Sequence, residues 1–432
     1  MTVKAIKGAV FHLRDDPSVV GTDAAEYFAD GLLVLEDGYV RACGPREDLE
    51  PALPAGTNVA DHTGSLIVPG FIDTHIHFPQ LDMIASFGEQ LLDWLERYTF
   101  PEEAKFADPA HAAECADFFL DELLRNGTTS ALVYGTVHKE SVDALFEAAF
   151  ERGMRIVAGK ALMDRNVPEA VRDTAESGDR DSRDLIGKWH GKGRLGYAVT
   201  PRFAPACSDD QLTRAGKLLA EVPDLLMHTH MSENTTEIDW VKKLYPDAKD
   251  YLDVYAKFGL LTDRSVFAHC IHLEGDEFQR MAEADAAISY CPTSNLFLGS
   301  GLFNLKEAEK YGVKVGIGTD VGAGTSFSML QTLNEAYKVC HLKGHKLEPY
   351  KSFYLATLGG ARALNMGDKV GNFEVGKEAD FLVLDMAATP LLERRLKHCK
   401  SLDETLFVLS MLGDDRVIGH TYIAGECRYS KN

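Results

Sequence analysis

The 432-residue sequence has no apolar run of membrane-spanning length and nothing resembling a signal peptide at its amino terminus. This predicts a protein that does not enter a membrane. Cysteine is present but unpatterned: the eight residues at 43, 115, 207, 270, 291, 340, 399 and 427 contain no Cys-x-x-Cys pair. That argues against a disulfide framework or a cysteine-rich zinc site, and fits a reducing cytoplasm. Positive charge is also scarce. With 45 Lys and Arg against 66 Asp and Glu, the formal charge is −21. Nucleic acid is therefore disfavoured as a partner, because phosphate contacts need a basic face. The acidic residues are spread along the chain and read as solvated helix faces. Nor do the glycines of "DVGAGTS" (320–326) mark a phosphate loop, since no Lys-Ser/Thr follows them. A tight turn after a strand explains them.

What is present is regular. Both chain ends read as strands and turns: "GLLVLEDGYVRACG" (31–44) places two apolar runs around Asp37-Gly38, a hairpin signal. "GNFEVGKEADFLVLD" (371–385) and "TYIAGECRY" (421–429) have the same character, the latter turning at Gly425-Glu426. Between the ends, eight strand-like runs alternate with amphipathic stretches such as 111–125, 141–152 and 211–220. The runs cover 66–77, 128–134, 155–163, 195–203, 225–233, 265–273, 286–295 and 314–322. Eight alternations predict an α/β chain with a closed parallel (β/α)₈ barrel, the TIM-like architecture, over residues 67–370. Residues 1–66 and 371–432 are expected to fold together as a small β-sandwich. A doubly wound open sheet is the alternative, disfavoured by the count of eight.

Barrel chemistry sits at the carboxyl ends of the strands. In "PGFIDTHIHFPQ" (69–80), His75 and His77 alternate with Ile76, so both imidazoles point to one face. The pair "HTH" (228–230) repeats that spacing on strand five, so spacing alone does not choose between them. Strand four ends in Arg202-Phe203, strand five in His230-Met231-Ser232-Glu233, strand six carries His269, and strand eight ends in Asp320. Three histidines and an aspartate suit zinc or a similar divalent ion and leave room for a water.

These segments resemble the metal-dependent hydrolases of the amidohydrolase superfamily over essentially the whole chain. "LLDWLERYTFPEE" (91–103), "TPRFAPACS" (200–208), "CPTSNLFLGSG" (291–301) and "GTDVGAGTSFSML" (319–330), in that order, narrow the likeness to members that deaminate guanine. The resemblance implies one zinc ion per subunit (iron or another divalent metal as the variant), held by His75, His77, His230 and Asp320. His228 is then a packed barrel histidine and His272 a structural one. A metal bridge through a strand-four lysine is not expected, because "RLGYAVTPRF" has no internal lysine and Lys160 lies on strand three. The family also suggests a homodimer in purine catabolism or salvage.

Roles follow from that assignment. Glu233, Asp320 and His269 are the expected catalytic residues. Asp320 takes the proton of an activated water, His269 orients the attacking oxygen, and Glu233 shuttles protons to ring N3 and the leaving amine at C2. Gln80, Arg202 and Phe203 are the expected substrate contacts. Arg202's fork matches guanine's O6 and N7, as it does when proteins read guanine in DNA; alternatively it pairs with a carboxylate at the barrel rim. Trp94 either lines the pocket's lid or packs a loop. The rival readings are an aminohydrolase for another purine, a pyrimidine or a triazine, and a purine-binding protein without catalysis. The complete proton-handling set speaks against the last.

Overall fold

A computed structural model describes residues 2–88 and 90–431. Eight parallel strands form the expected barrel wall: Phe71–His77, Thr128–Tyr134, Arg155–Gly159, Gly196–Pro201, Leu226–Met231, Ser265–His269, Ala287–Tyr290 and Lys314–Ile317. Each pairs in parallel with the next, and a two-residue strand, Ala161–Leu162, adds a second contact to the fourth. All eight are buried on both faces, five of them completely and three apart from a single residue, which is why they read as apolar runs rather than as alternation. The seam between strands eight and one closes at its carboxyl end. There Asp320 N–H donates to the His75 carbonyl at 2.9 Å and His77 N–H to the Val321 carbonyl at 2.9 Å.

The helices between strands begin where capping chemistry permits. Helix Pro109–Arg125 starts two residues before the apolar periodicity, because the Asp108 carboxylate accepts from Ala110 N–H and Pro109 occupies the first helical position. Helix Asp209–Glu221 likewise begins at a Ser208 cap that accepts from Gln211 N–H. Below the barrel, Ile72, Leu132, Val157, Ala198, Leu226, Val266 and Ala287 meet Ala361, Leu364 and Met366 in one buried cluster. Helix Leu358–Ala363 and the residues after it thus plug the amino-terminal mouth. This leaves the opposite mouth for chemistry.

Both chain ends build a separate seven-stranded sheet from Val3–Leu13, Ala25–Glu36, Tyr39–Pro45, Asn58–Pro69, Phe381–Leu384, Ile418–Ile423 and Glu426–Ser430. Val40 near one edge and Tyr422 near the other share a core with Ile6, Leu33 and Phe381, so the sheet curls around its own apolar face. The hairpin at Asp37-Gly38 has both residues at positive φ, 51° and 88°, as a primed two-residue turn requires. The last hairpin turns at Ala424-Gly425, one residue earlier than the sequence suggests, with Ile423 opposite Glu426. The apolar run 66–77 is also divided. Residues up to Pro69 pair with the end sheet, Gly70 breaks the run, and Phe71 starts the barrel.

Candidate active site

Strand one delivers His75 and His77 to one point, their Nε2 atoms 3.2 Å apart. His230 Nε2, from strand five, lies 3.2 Å from His77 Nε2. Asp320 completes the cluster from strand eight, its Oδ1 3.1 Å from His75 Nε2 and 3.3 Å from His77 Nε2. All four side chains are buried or nearly so. His269 from strand six sits beside them, with Nε2 3.8 Å from Asp320 Oδ2 and 3.4 Å from Glu233 Oε2. Ser232, His269, Cys270 and Asp320 all have φ between 51° and 71°, a left-handed turn that non-glycine residues seldom hold. Each sits at or just beyond the end of a strand, and of the four, His269 and Asp320 line the cavity.

The cluster fits a divalent cation. His230 Nδ1 lies 2.6 Å from the Arg202 carbonyl, which only accepts, so Nδ1 carries the proton and Nε2 presents a lone pair. Burial lowers the pKa of His75, His77 and His230, that of His77 to about 3, so these rings are neutral near pH 7. Neutral imidazoles and a carboxylate oxygen crowded at about 3 Å repel unless a cation lies among them. Three nitrogens and an oxygen are a donor set for zinc or a similar ion. The other histidine of the strand-five pair, His228, is fully buried, with Nε2 2.6 Å from His75 Nδ1, so it orients His75 from behind the cluster. His272 points away, its Nε2 donating to the Ser300 carbonyl at 2.9 Å.

Beside the cluster a cavity is lined by Gln80, Trp94, Arg202, Phe203 and Glu233 among others, aromatic and apolar walls with a few polar groups, the make-up of a small-molecule site. Glu233 is 3% exposed. Burial, with the nearby charge of Asp320, pushes its carboxyl up to about 8, so it holds a proton at neutral pH and can donate. Ser300 Oγ donates to Glu233 Oε1 at 3.3 Å. Trp94 is buried, lines the cavity and packs with Leu91, Leu95 and Phe203, so cavity lining and local packing coincide in it. For Arg202 the structure shows the pairing with a carboxylate, in a side chain buried beside the cavity. It lines the cavity, and its Nη1 donates to both carboxylate oxygens of Glu103 at 2.9 and 2.8 Å.

The amidohydrolase family model matches residues 66–427. The chain is 52% identical to guanine deaminase of Escherichia coli (strain K12), over 100% of this chain and 99% of the relative. The chain belongs to the amidohydrolase family. The solved structure of E. coli guanine deaminase superposes on this amidohydrolase with a TM-score of 0.96 at 51% identity, covering 100% of both chains. Guanine deaminase from C. acetobutylicum, solved with bound guanine in its active site, gives a TM-score of 0.90 at 30% identity, covering 99% of this chain and 100% of its own. Amidohydrolases generally use a divalent metal, in accord with the donor set above.

Several residues of this amidohydrolase's site have no counterpart in the sequence reading. Glu103 and Glu237 are acidic helix residues that face inward, at 0% and 1% exposure, not the solvated faces their type suggests. Glu237 Oε2 accepts from the backbone N–H of Glu233 and Asn234 at 2.9 and 3.2 Å, which fixes the end of strand five. A signal for it exists, because Asn234 and Glu237 form a capping box. Asn295 Oδ1 accepts from His269 Nδ1 at 2.9 Å, leaving Nε2 free to face the cavity. Asp73 ties strand one to strand eight, accepting from His75 N–H and Thr319 N–H, both at 3.1 Å. The glycines after Asp320 serve close packing: a Cβ on Gly322 would sit 2.6 Å from the Gln80 carbonyl, and one on Gly324 1.7 Å from that of Thr319.

Proposed function

We propose that this amidohydrolase deaminates guanine hydrolytically, giving xanthine and ammonia, with one zinc ion held by His75, His77, His230 and Asp320. The observation that carries the reading is a buried Glu233 facing His269 beside the ligand cluster, in a small cavity edged by Arg202 and Gln80. The relatives named guanine deaminase, one with guanine bound, support the substrate. The ion supplies Lewis-acid chemistry, lowering the pKa of a water toward neutrality.

The residues then divide the proton traffic. Asp320 turns Oδ1 to the histidines and Oδ2 toward His269, so Oδ2 is available to receive a proton from the attacking water. His269, fixed through Nδ1 by Asn295, orients the attacking oxygen with Nε2. As oxygen adds to C2, Glu233 gives its proton to N3. It then takes the proton of the new hydroxyl and passes it to the amine, and ammonia departs as the C2 carbonyl forms. The proton on Asp320 returns to Glu233, and both carboxyls are reset; His269 lies between them, within 4 Å of each. A neutral carboxylic acid beside an ionised carboxylate is what such a shuttle requires.

Arg202 and Gln80 are assigned to the purine edge and Phe203 to its ring face. We infer a homodimer from the family resemblance, and a cytoplasmic role in purine catabolism or salvage. The eight cysteines are all free, as a reducing compartment requires; among the described residues no helix is long and apolar enough to cross a membrane. The test is direct: purified protein mixed with guanine should release ammonia and xanthine in equal amounts. Protein with its full metal content that releases neither would overturn the reading.

A further inference from the structure

The substrate wall of the cavity is built around a buried carboxylate that no part of the reaction above uses. Glu103 is completely buried and Arg202 is 3% exposed, and they form an ion pair in which Arg202 Nη1 donates to both carboxylate oxygens. The same Glu103 Oε1 accepts from Gln80 Nε2 at 3.2 Å. Gln80 Oε1 in turn accepts from Gly322 N–H at 3.3 Å. A carboxylate only accepts and a backbone N–H only donates, so these contacts fix which end of the Gln80 amide is which. Phe100 stands one helical turn before Glu103, on the same face, and its ring lies under the Arg202 guanidinium at 5.5 Å. The short helix Phe100–Ala104 thus grips Arg202 by its face and by its charge.

Two consequences follow. The wall presents donors, because Arg202 has no acceptor and Gln80 retains a second N–H. It also presents no net charge, because the cation is cancelled by the carboxylate behind it. Glu102 and Lys105 pair with each other at 2.6 Å. Glu233 and the imidazoles of His75, His77 and His230 also feel the Arg202 charge, and Glu103→Gln leaves all of them in place.

We propose that Glu103 is a positioning and specificity-determining residue. It locks Arg202 and Gln80 as a donor edge and keeps that edge electroneutral, so the pocket takes the neutral purine and does not retain an anionic product. This rests on the reading of the reaction as guanine deamination. Xanthine is the more acidic heterocycle and becomes an anion as the pH rises through neutrality; an uncompensated guanidinium at this wall would hold that anion and slow turnover.

The experiment measures inhibition by xanthine, at pH 6 and pH 9, in the parent enzyme and in Glu103→Gln and Glu103→Asp. Glu103→Gln leaves the Arg202 charge uncompensated. It should bind xanthine about tenfold more tightly than the parent at pH 9, with little change at pH 6, and should raise the guanine KM. Glu103→Asp keeps the charge but withdraws it by one methylene. It should raise KM through misplacement of Gln80 without tightening xanthine. Unchanged xanthine inhibition in Glu103→Gln at both values, with metal content at the parent level, would overturn the proposal. So would equal tightening in both variants. If Glu103→Gln does not fold, tightening in Glu103→Asp alone has the same force. Failure of the underlying reading looks different, because the parent itself would then release no ammonia from guanine.

Discussion

Asp320 is joined to His75 twice: its backbone N–H donates to the His75 carbonyl at 2.9 Å, and its Oδ1 lies 3.1 Å from His75 Nε2. The seam that closes the barrel and the cluster that fits a metal are therefore the same structure. Cross-strand hydrogen bonds hold the two backbones in register, and the register sets the spacing of the donor atoms. Asp73 strengthens the seam from within, gripping Thr319 and the His75 N–H.

The first prediction concerns that cluster. One tightly held divalent ion per chain, zinc by our reading, should be found by elemental analysis. Prolonged chelation should abolish turnover, and readdition of the ion should restore it. His230→Ala should lose the ion at chelator concentrations the parent withstands. Full activity in metal-free protein would refute the assignment of these four ligands.

Glu233 gives the second. It stands three residues beyond His230 and faces His269, not the crowded nitrogen cluster. Glu233→Gln should keep the metal yet lower turnover by roughly 10²–10⁴-fold, the usual share of a general acid–base. Loss of metal in parallel with activity would instead make Glu233 a ligand.

The barrel was legible because a strand buried on both faces leaves an unbroken apolar run, and eight such runs between helices admit few topologies. Residues at the strand ends were legible for the same reason: position along a run states which end of the barrel it reaches. The boundary at Gly70 was not, since the strands on either side of it are both apolar and only their pairing partners differ. Glu103 and Asn295 were hidden by another cause. Their meaning lies in partners 99 and 26 residues away, and neither spacing is a helical or strand repeat. An acidic residue on a short helix looks solvated until the arginine it faces is known.

A third prediction concerns stability. His12 is buried in the end sheet, 3.0 Å from Glu26, and burial lowers its pKa from 6.5 to about 4. The unfolded chain therefore takes a proton at this residue at higher pH than the folded chain does. Stability is present in full above about pH 6.5 and is lost as the pH falls toward 4. Between pH 7 and pH 5 the loss from this one group is on the order of 2 kcal/mol. Urea unfolding of His12→Gln should show a shallower decline over that interval than the parent. Parallel declines would mean that His12 is charged in the fold.

The last prediction is substrate choice. Arg202 and Gln80 offer donors along the cavity wall, and guanine presents acceptors there at O6 and N7. Adenine puts an amino donor where O6 would be, so a buried donor would face a donor and each would lose its bond. Penalties of that kind reach about 10⁴-fold in discrimination. Adenine also lacks the amino group at C2 on which the chemistry acts. Guanosine should be a poor substrate for another reason: buried Trp94 and Leu91 line the cavity, and a ribose at N9 needs room beyond them. Arg202→Ala should raise the guanine KM while leaving the metal in place, because its side chain contacts Glu103, and the backbone carbonyl that holds His230 Nδ1 survives the substitution. Trp94→Ala should ease guanosine turnover relative to guanine. Comparable rates on adenine and guanine, or an Arg202→Ala enzyme with the parent's KM, would show that this wall does not read the purine.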